Sequence, residues 1–302
     1  MLIPSIFIVL WSSGAIFVEN GLKYSDPFIF LSLRLWLAWS VVGLILFFTR
    51  PEFPKSFQQL SWMSLTGMTQ GLYSVFFFVA LYEGISPGIL AIILGMQPLL
   101  TLLVMREAMR PLQMVGILLG FIGLALTVIN TVMTGVTSVW GIINALLSLG
   151  AITLSTIWQK KYCSSISLTA NLFIQYLASS ILVTLIYAAF GNRHVDWRPG
   201  FIVSLLWVAL VISIAAIYLF YHLLKRGKAA NVTSYLYCVP PVTAVMDYLM
   251  FKHVLSLTTV FGMMLVIMGL ALIHYKHYGR FSSQQKTTDK RNTKGEPKCP
   301  NN

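Results

Sequence analysis

Charge is what this chain has least of. Only 10% of its 302 residues are Asp, Glu, Lys or Arg, where a soluble domain carries roughly 25%. A water-facing surface cannot be built from so little, so a soluble globular protein is excluded. The mean hydropathy of +0.77 points the same way. Cysteine is also scarce. Cys163, Cys238 and Cys299 are scattered without metal-ligand spacing and cannot form a disulfide framework. The five histidines stand near the ends of apolar runs, with no HExxH pattern. There is no P-loop motif, so ATP hydrolysis within the chain is excluded. Neither a metal nor a cofactor is expected, and an integral-membrane enzyme would need a cluster of His, acids or a nucleophile that is not visible. The net charge of +12 could suggest nucleic acid, but the basic residues sit in alternate loops and in the tail, so no nucleic-acid partner is expected.

What is present is a series of apolar runs near 20 residues, each able to cross about 30 Å of hydrocarbon as a helix. Ten are predicted: Leu2–Val18, Phe28–Phe48, Leu60–Tyr82, Pro87–Met105, Pro111–Ile129, Val139–Trp158, Leu168–Phe190, Phe201–Leu224, Ala229–Phe251 and Leu257–Tyr275. No alternating ten-residue pattern suggests a barrel. The first run lacks a basic segment before it and reads as a retained helix rather than a signal peptide. With the N-terminus cytoplasmic, the inner loops hold nine Lys and Arg (Arg50, Lys55, Arg106, Arg110, Lys160, Lys161, Lys225, Arg226, Lys228). The opposite loops hold four (Lys23, Arg193, Arg198, Lys252). The tail beyond Tyr278 is basic and polar, cannot bury an apolar face, and is expected to be a disordered cytoplasmic anchor. Both termini are therefore expected inside, in an inner (plasma) membrane of bacterial type.

The chain repeats itself. "QMVGILLGFIGLAL" from Gln113 returns as "TVFGMMLVIMGLAL" from Thr259, with Gly116, Gly123, Leu124, Ala125 and Leu126 each recurring 146 residues later. Each copy closes a block of five apolar runs. A duplicated block with an odd number of spans must lie in two opposite orientations, which is how inverted-repeat secondary transporters are built. The predicted fold is all-α integral membrane: ten transmembrane helices as two inverted five-helix repeats. The predicted units are 1–130, 138–276 and the basic tail 277–302.

Several segments resemble the EamA-like branch of the drug/metabolite transporter superfamily: "LWSSGAIFV", "YSDPFIFLSLRLWLAW" with its intramembrane Arg34, and "SPGILAIILGMQPLLTLLV" followed by "REAMRPLQMVGILLGFIGLAL". "KAANVTSYLYCVPPVTAVM" and "GMMLVIMGLAL" match more weakly. The resemblance covers residues 1–276 and implies a transporter, not an enzyme, with a cavity lined by spans one, three, four, six, eight and nine. Two departures stand out. Pro98 to Gly116 is four residues shorter than Pro240 to Gly262, and His253 stands where the first half has Glu107.

The candidate site follows from position. Pro98 in the fourth span, and Pro240 with Pro241 in the ninth, each remove a helix hydrogen bond. Paired breaks in corresponding spans point to a midplane binding site. Polar and aromatic residues at similar depth are the candidate substrate contacts: Trp11, Ser13 (beside Ser12), Gln70, Tyr73, Gln97, Asn144 (near Ser148), Tyr218, Tyr235 and Tyr237. Taken singly, each could equally serve interhelical hydrogen bonding. Arg34, Glu19, Glu83 and Asp247 are the intramembrane or near-membrane charges. Arg34 is expected to pair with Asp247 or Glu83, as a gate, as a proton-coupling element or as a structural ion pair. The function read from all this is a secondary transporter, in the export sense, of small organic metabolites such as amino acids or related compounds. It would work by alternating access, with proton coupling or exchange. Two alternatives stand beside it: an importer or exchanger of a nucleotide-like or adenosine-containing solute, and a non-transporting membrane scaffold. The expected partners are a small-molecule substrate, the lipid bilayer and, through the repeated glycines, a second copy as a homodimer.

Overall fold

The computed structural model describes residues 2–54, 56–104, 111–133, 138–163, 166–217, 219 and 238–274. Among them the regular structure is all helix, apart from one isolated antiparallel bridge between Ser25 and Val195. In order the helices are α1 (Leu2–Leu22), α2 (Pro27–Thr49), α3 (Phe57–Tyr82), α4 (Pro87–Leu94), α5 (Gln97–Val104), α6 (Pro111–Met133), α7 (Val139–Tyr162), α8 (Leu168–Phe190), α9 (Pro199–Leu206), α10 (Val239–Phe251) and α11 (Leu257–His274). α9 runs on as a π-helical stretch, Trp207–Ala216.

Local chemistry sets the helix starts. Asp26 accepts from the backbone N–H groups of Phe28 and Ile29 (2.9 and 3.4 Å), with Pro27 in the first turn. Ser86 caps α4 before Pro87, Ser138 caps α7 and Ser167 caps α8, each accepting a backbone N–H. Such caps satisfy N–H groups that have no partner within the helix. Arg50 and Lys252 close α2 and α10 in the left-handed conformation.

Five helices are long and apolar enough to cross a membrane: Pro27–Thr49, Phe57–Tyr82, Val139–Tyr162, Leu168–Phe190 and Pro199–Ala216. Five shorter apolar helices accompany them. Large apolar side chains such as Phe47, Phe48, Leu118, Leu147, Leu185 and Leu249 point outward. An outer surface this apolar marks a face that meets lipid. The protein is an integral membrane protein.

The boundaries differ from the sequence expectation where polar residues end a span. α1 continues to Leu22, taking in Glu19 and Asn20, and Asn20 donates to Ser204 Oγ at 3.0 Å. α7 continues to Tyr162, with Lys160 and Lys161 in its last turn, where long cationic side chains can reach toward water. The fourth span, expected as one helix from Pro87 to Met105, is two short helices with a break at Gly95–Met96.

Packing is closest where side chains are smallest. α6 lies along α11 through the repeated glycines. A Cβ on Gly123 would sit 2.4 Å from the Gly262 carbonyl oxygen, and one on Gly269 would sit 2.4 Å from that of Gly116. The two copies of the repeated motif thus pack on each other inside one chain. α3 packs on α7 and α8, α2 on α8, and α1 on α9 and α10, while α10 also lies against α4. Phe30 meets both Phe78 and Phe201 edge to face, each with centroids 5.2 Å apart; all three are fully buried and join α2, α3 and α9 at the core.

Candidate functional site

Pro98 is the second residue of α5. A proline has no N–H to give to the carbonyl four residues back, and the chain turns through Gly95 and Met96 at that point, with Met96 N–H bonded to Ile93 O at 3.1 Å. On the other side, Pro240 and Pro241 occupy the first turn of α10. The two places meet. A Cβ on Gly95 would lie 3.3 Å from Pro240 Cγ, and Ser12 of α1 donates to the Val239 carbonyl at 3.4 Å. The break between α4 and α5, the prolines of α10, and α1 therefore converge deep in the protein. A broken helix leaves backbone groups without intrahelical partners.

Polar side chains surround this convergence in two groups. On α3, α5 and α7, Gln97 donates to Thr156 (2.8 Å), Ser155 donates to Gln70 Oε1 (3.1 Å) and Ser148 donates to the Tyr73 carbonyl (3.3 Å). Gln70, Tyr73 and Gln97 are half-buried. On α1 and the π-helical stretch, Trp207 Nε1 donates to Ser13 at 2.9 Å, and Ser13 donates to Leu10 O. Trp11 is half-buried beside Phe7, centroids 5.5 Å apart. Asn144 stands apart from both groups, since its amide bonds to the Trp140 carbonyl of its own helix at 2.8 Å. Tyr218, Tyr235 and Tyr237 lie outside the described residues.

The charged residues do not pair as expected. Arg34 meets neither Asp247 nor Glu83. Its Nε donates to Ser213 Oγ at 3.2 Å, and its guanidinium lies 5.6 Å from the Phe78 ring centre. Tyr176, whose hydroxyl donates to the Ser213 carbonyl, and Tyr73 lie close enough to feel its charge. Glu83 accepts from Ser138 at 2.7 Å and ties the end of α3 to the cap of α7. Each acid has a nearer donor on a neighbouring helix end, and this holds them away from Arg34.

Asp247 is fully buried. Its Oδ2 accepts the Gly88 N–H at the start of α4 (3.0 Å), and its Oδ1 meets His253 Nδ1 at 2.9 Å. The carboxylate thus crosses from α10 to the N-terminus of α4, where a helix dipole favours negative charge. Gly88 leaves room for it, since a Cβ there would lie 3.1 Å from Oδ2. Glu19 of α1 completes the group, and its ligand atom lies within 4.8 Å of those of Asp247 and His253. Among the described residues no hydrogen-bond donor reaches its buried Oε2. Two carboxylates and an imidazole could in principle hold a divalent cation. Lys23, near Glu19 and seated on the Phe251 ring at 4.3 Å, opposes one.

The sequence flags Glu19 as a near-membrane charge but not its grouping with Asp247 and His253, and it does not point to His253, Tyr176, Thr156, Trp207 or Ser213. His253 follows α10 and obeys no helical period relative to Asp247. Ser213 lies on a π-helical stretch, so its α-period face is misleading. Only their polarity within an apolar context could have flagged them.

A bundle of apolar helices, one of which breaks in the interior against the prolines of another, fits the construction of a membrane transporter. The EamA-like transporter family profile matches residues 2–129 and again residues 139–275, and the chain belongs to this family. It is of the drug/metabolite transporter type, a family of transporters and not of enzymes. The chain is 24% identical over 288 residues to the uncharacterized transporter YvbV of Bacillus subtilis, covering 91% of each protein. It is 26% identical over 288 residues to an uncharacterized transporter of Archaeoglobus fulgidus, covering 92% of this chain and 98% of that one. A protein crystal structure shares the fold, with a TM-score of 0.62 at 18% identity over 90% of this chain and 96% of its own.

Proposed function

We propose that the chain is a ten-span secondary exporter of small organic metabolites, such as amino acids or related compounds, and that it works by alternating access. Two inverted five-helix repeats, 1–130 and 138–276, move against each other around the convergence of the fourth and ninth spans. The observation that carries this reading is the contact between the Gly95–Met96 break and Pro240, because discontinuous helices at a repeat interface expose backbone groups to a solute.

Two further observations support the repeat. The family profile matches once in each half. The packing also maps onto itself when each span is exchanged with the one five later. α2 with α8, α6 with α11, and α4 with α10 are self-exchanging pairs, while α3 with α7 exchanges with α9 with α1. A two-fold relation between the halves requires such a pattern.

Trp11, Ser13, Gln70, Tyr73 and Gln97, with Asn144, Tyr218, Tyr235 and Tyr237 on the same cavity-lining spans, are the proposed substrate contacts. Asp247 and Glu83 each tie one half to the other, through Gly88 and Ser138, and are the proposed gating or proton-coupling groups at the outer end. Both termini are cytoplasmic in this reading, in an inner (plasma) membrane, with the basic tail as the inner anchor.

The test is metabolite profiling of cells producing the wild type, Gln97→Ala or Gln70→Ala, with membrane levels matched. A metabolite depleted inside and enriched outside with the wild type alone is the expected result. The opposite shift would replace export by import. No shift, with the protein present in the membrane, would refute transport of any solute those cells contain.

A further inference from the structure

Among the described residues, Arg34 is a charge without a counter-charge. Among the described residues, the ion pairs are Arg198 with Asp196 and His253 with Asp247. Arg34 makes a single hydrogen bond, from Nε to the neutral hydroxyl of Ser213. Its two Nη groups carry four N–H donors, and no protein acceptor meets them among the described residues. The setting is apolar. Phe78 and Ser213 are fully buried, and Leu35 and Tyr176 nearly so. Arg34 itself is half-buried amid these neighbours. The Tyr73 hydroxyl nearby also has no hydrogen-bond partner among the described residues.

A structural arginine in a membrane interior is normally neutralised by an acid or spread over backbone carbonyls. This one is instead held by the side of the fork that leaves the Nη groups free. Ser213 fixes Nε, and Phe78 supports the cation from one side. Two parallel N–H groups on a planar fork match a carboxylate in bidentate fashion. Phe78 and Phe77 close by supply apolar surface for an organic body.

We propose that Arg34 is the anchor for the carboxylate of the transported solute, with the Tyr73 hydroxyl as a second donor, so that the substrate class is organic carboxylates. This inference rests on the transporter reading and sharpens it. A single fork, with no second intramembrane cation beside it among the described residues, suits one carboxylate better than a phosphate ester.

The test uses purified full-length protein in detergent. Its melting temperature is measured with acetate, benzoate and 3-phenylpropionate, each beside its primary amide, at matched millimolar concentration. A ligand that binds only the folded state raises stability by mass action. The expected result is a rise with at least one carboxylate and none with its amide. Arg34→Gln removes the rise. Arg34→Lys keeps a reduced part, because an ammonium holds charge without the fork. Without ligand, Arg34→Met melts at or above the wild type, since an unpaired charge kept for binding does not stabilise the empty protein. Equal rises for acid and amide, no rise with any carboxylate, or a full rise in Arg34→Gln would each overturn the proposal. The wild-type comparison decides even if a variant fails to fold. The profiling experiment separates the two readings. An uncharged metabolite moved alike by wild type and Arg34→Gln would keep the transporter and remove the anchor. Absence of any transported metabolite, beside selective carboxylate binding, would do the reverse.

Discussion

Replacing Gly269 by alanine tests the central packing claim, because the structure gives both the perturbation and its control. The new Cβ would lie 2.4 Å from the Gly116 carbonyl oxygen and 3.0 Å from the Gly120 nitrogen, both backbone atoms of α6 that cannot swing aside. α6 and α11 would have to separate by roughly 1 Å at that level, and a gap of that size forfeits up to about half of each dispersion well it touches. Overpacking of this kind typically costs about 1–3 kcal/mol. Alanine also gains about 1 kcal/mol of helix propensity over glycine, which would blur the reading if the variant stood alone. Gly150→Ala supplies the same gain at a helical site with nothing within 4 Å. The propensity contributions cancel between the two variants. The difference in their stabilities is then the packing cost, about 1–3 kcal/mol in favour of Gly150→Ala. Thermal unfolding of both in one detergent, followed by tryptophan emission, measures it. If Gly269→Ala proves as stable as Gly150→Ala, α6 and α11 are not in the contact described.

Asp247→Ala should destabilise by about 1–3 kcal/mol, because it strips the Gly88 N–H of a buried acceptor. Asp247→Asn should lose less, and melting curves of the two variants check the order. If Asp247 carries a coupled proton, Asp247→Asn should flatten the pH dependence of transport in proteoliposomes, whereas an unchanged profile would make the residue purely structural. Ser138→Ala should cost about 1 kcal/mol through the lost α7 cap, and somewhat more through the lost bond to Glu83; the double variant with Glu83→Gln should show the two effects to be non-additive. Gln97→Ala should lower transport without lowering the melting temperature, since its partner Thr156 is itself satisfied by the Ile152 carbonyl.

The helices were legible because each span is a local property. Twenty apolar residues in lipid must satisfy their own backbone groups, and only a helix does so. The glycines at 116, 123, 262 and 269 were legible as a contact surface, although the sequence also allowed dimerisation. In the structure that contact lies between two helices of the same chain. The break of the fourth span was legible from Pro98, and the structure adds that it lies against Pro240.

The pairing of charges was not legible. Arg34, Glu83 and Asp247 could be assigned similar depths from their positions in helices, but depth says nothing about azimuth. Asp247 turned to the N-terminus of α4, a partner 159 residues away in sequence. Glu83 turned to the cap of α7. Those choices left Arg34 with a serine hydroxyl.

The sequence by itself determined that this protein is helical, membrane-embedded and internally repeated, because hydrophobic length and motif recurrence are written along one dimension. Only the tertiary structure decided which polar groups satisfy one another. Hydrogen bonds act over about 3 Å and depend on direction, so their partners are known only once the helices have taken their rotations.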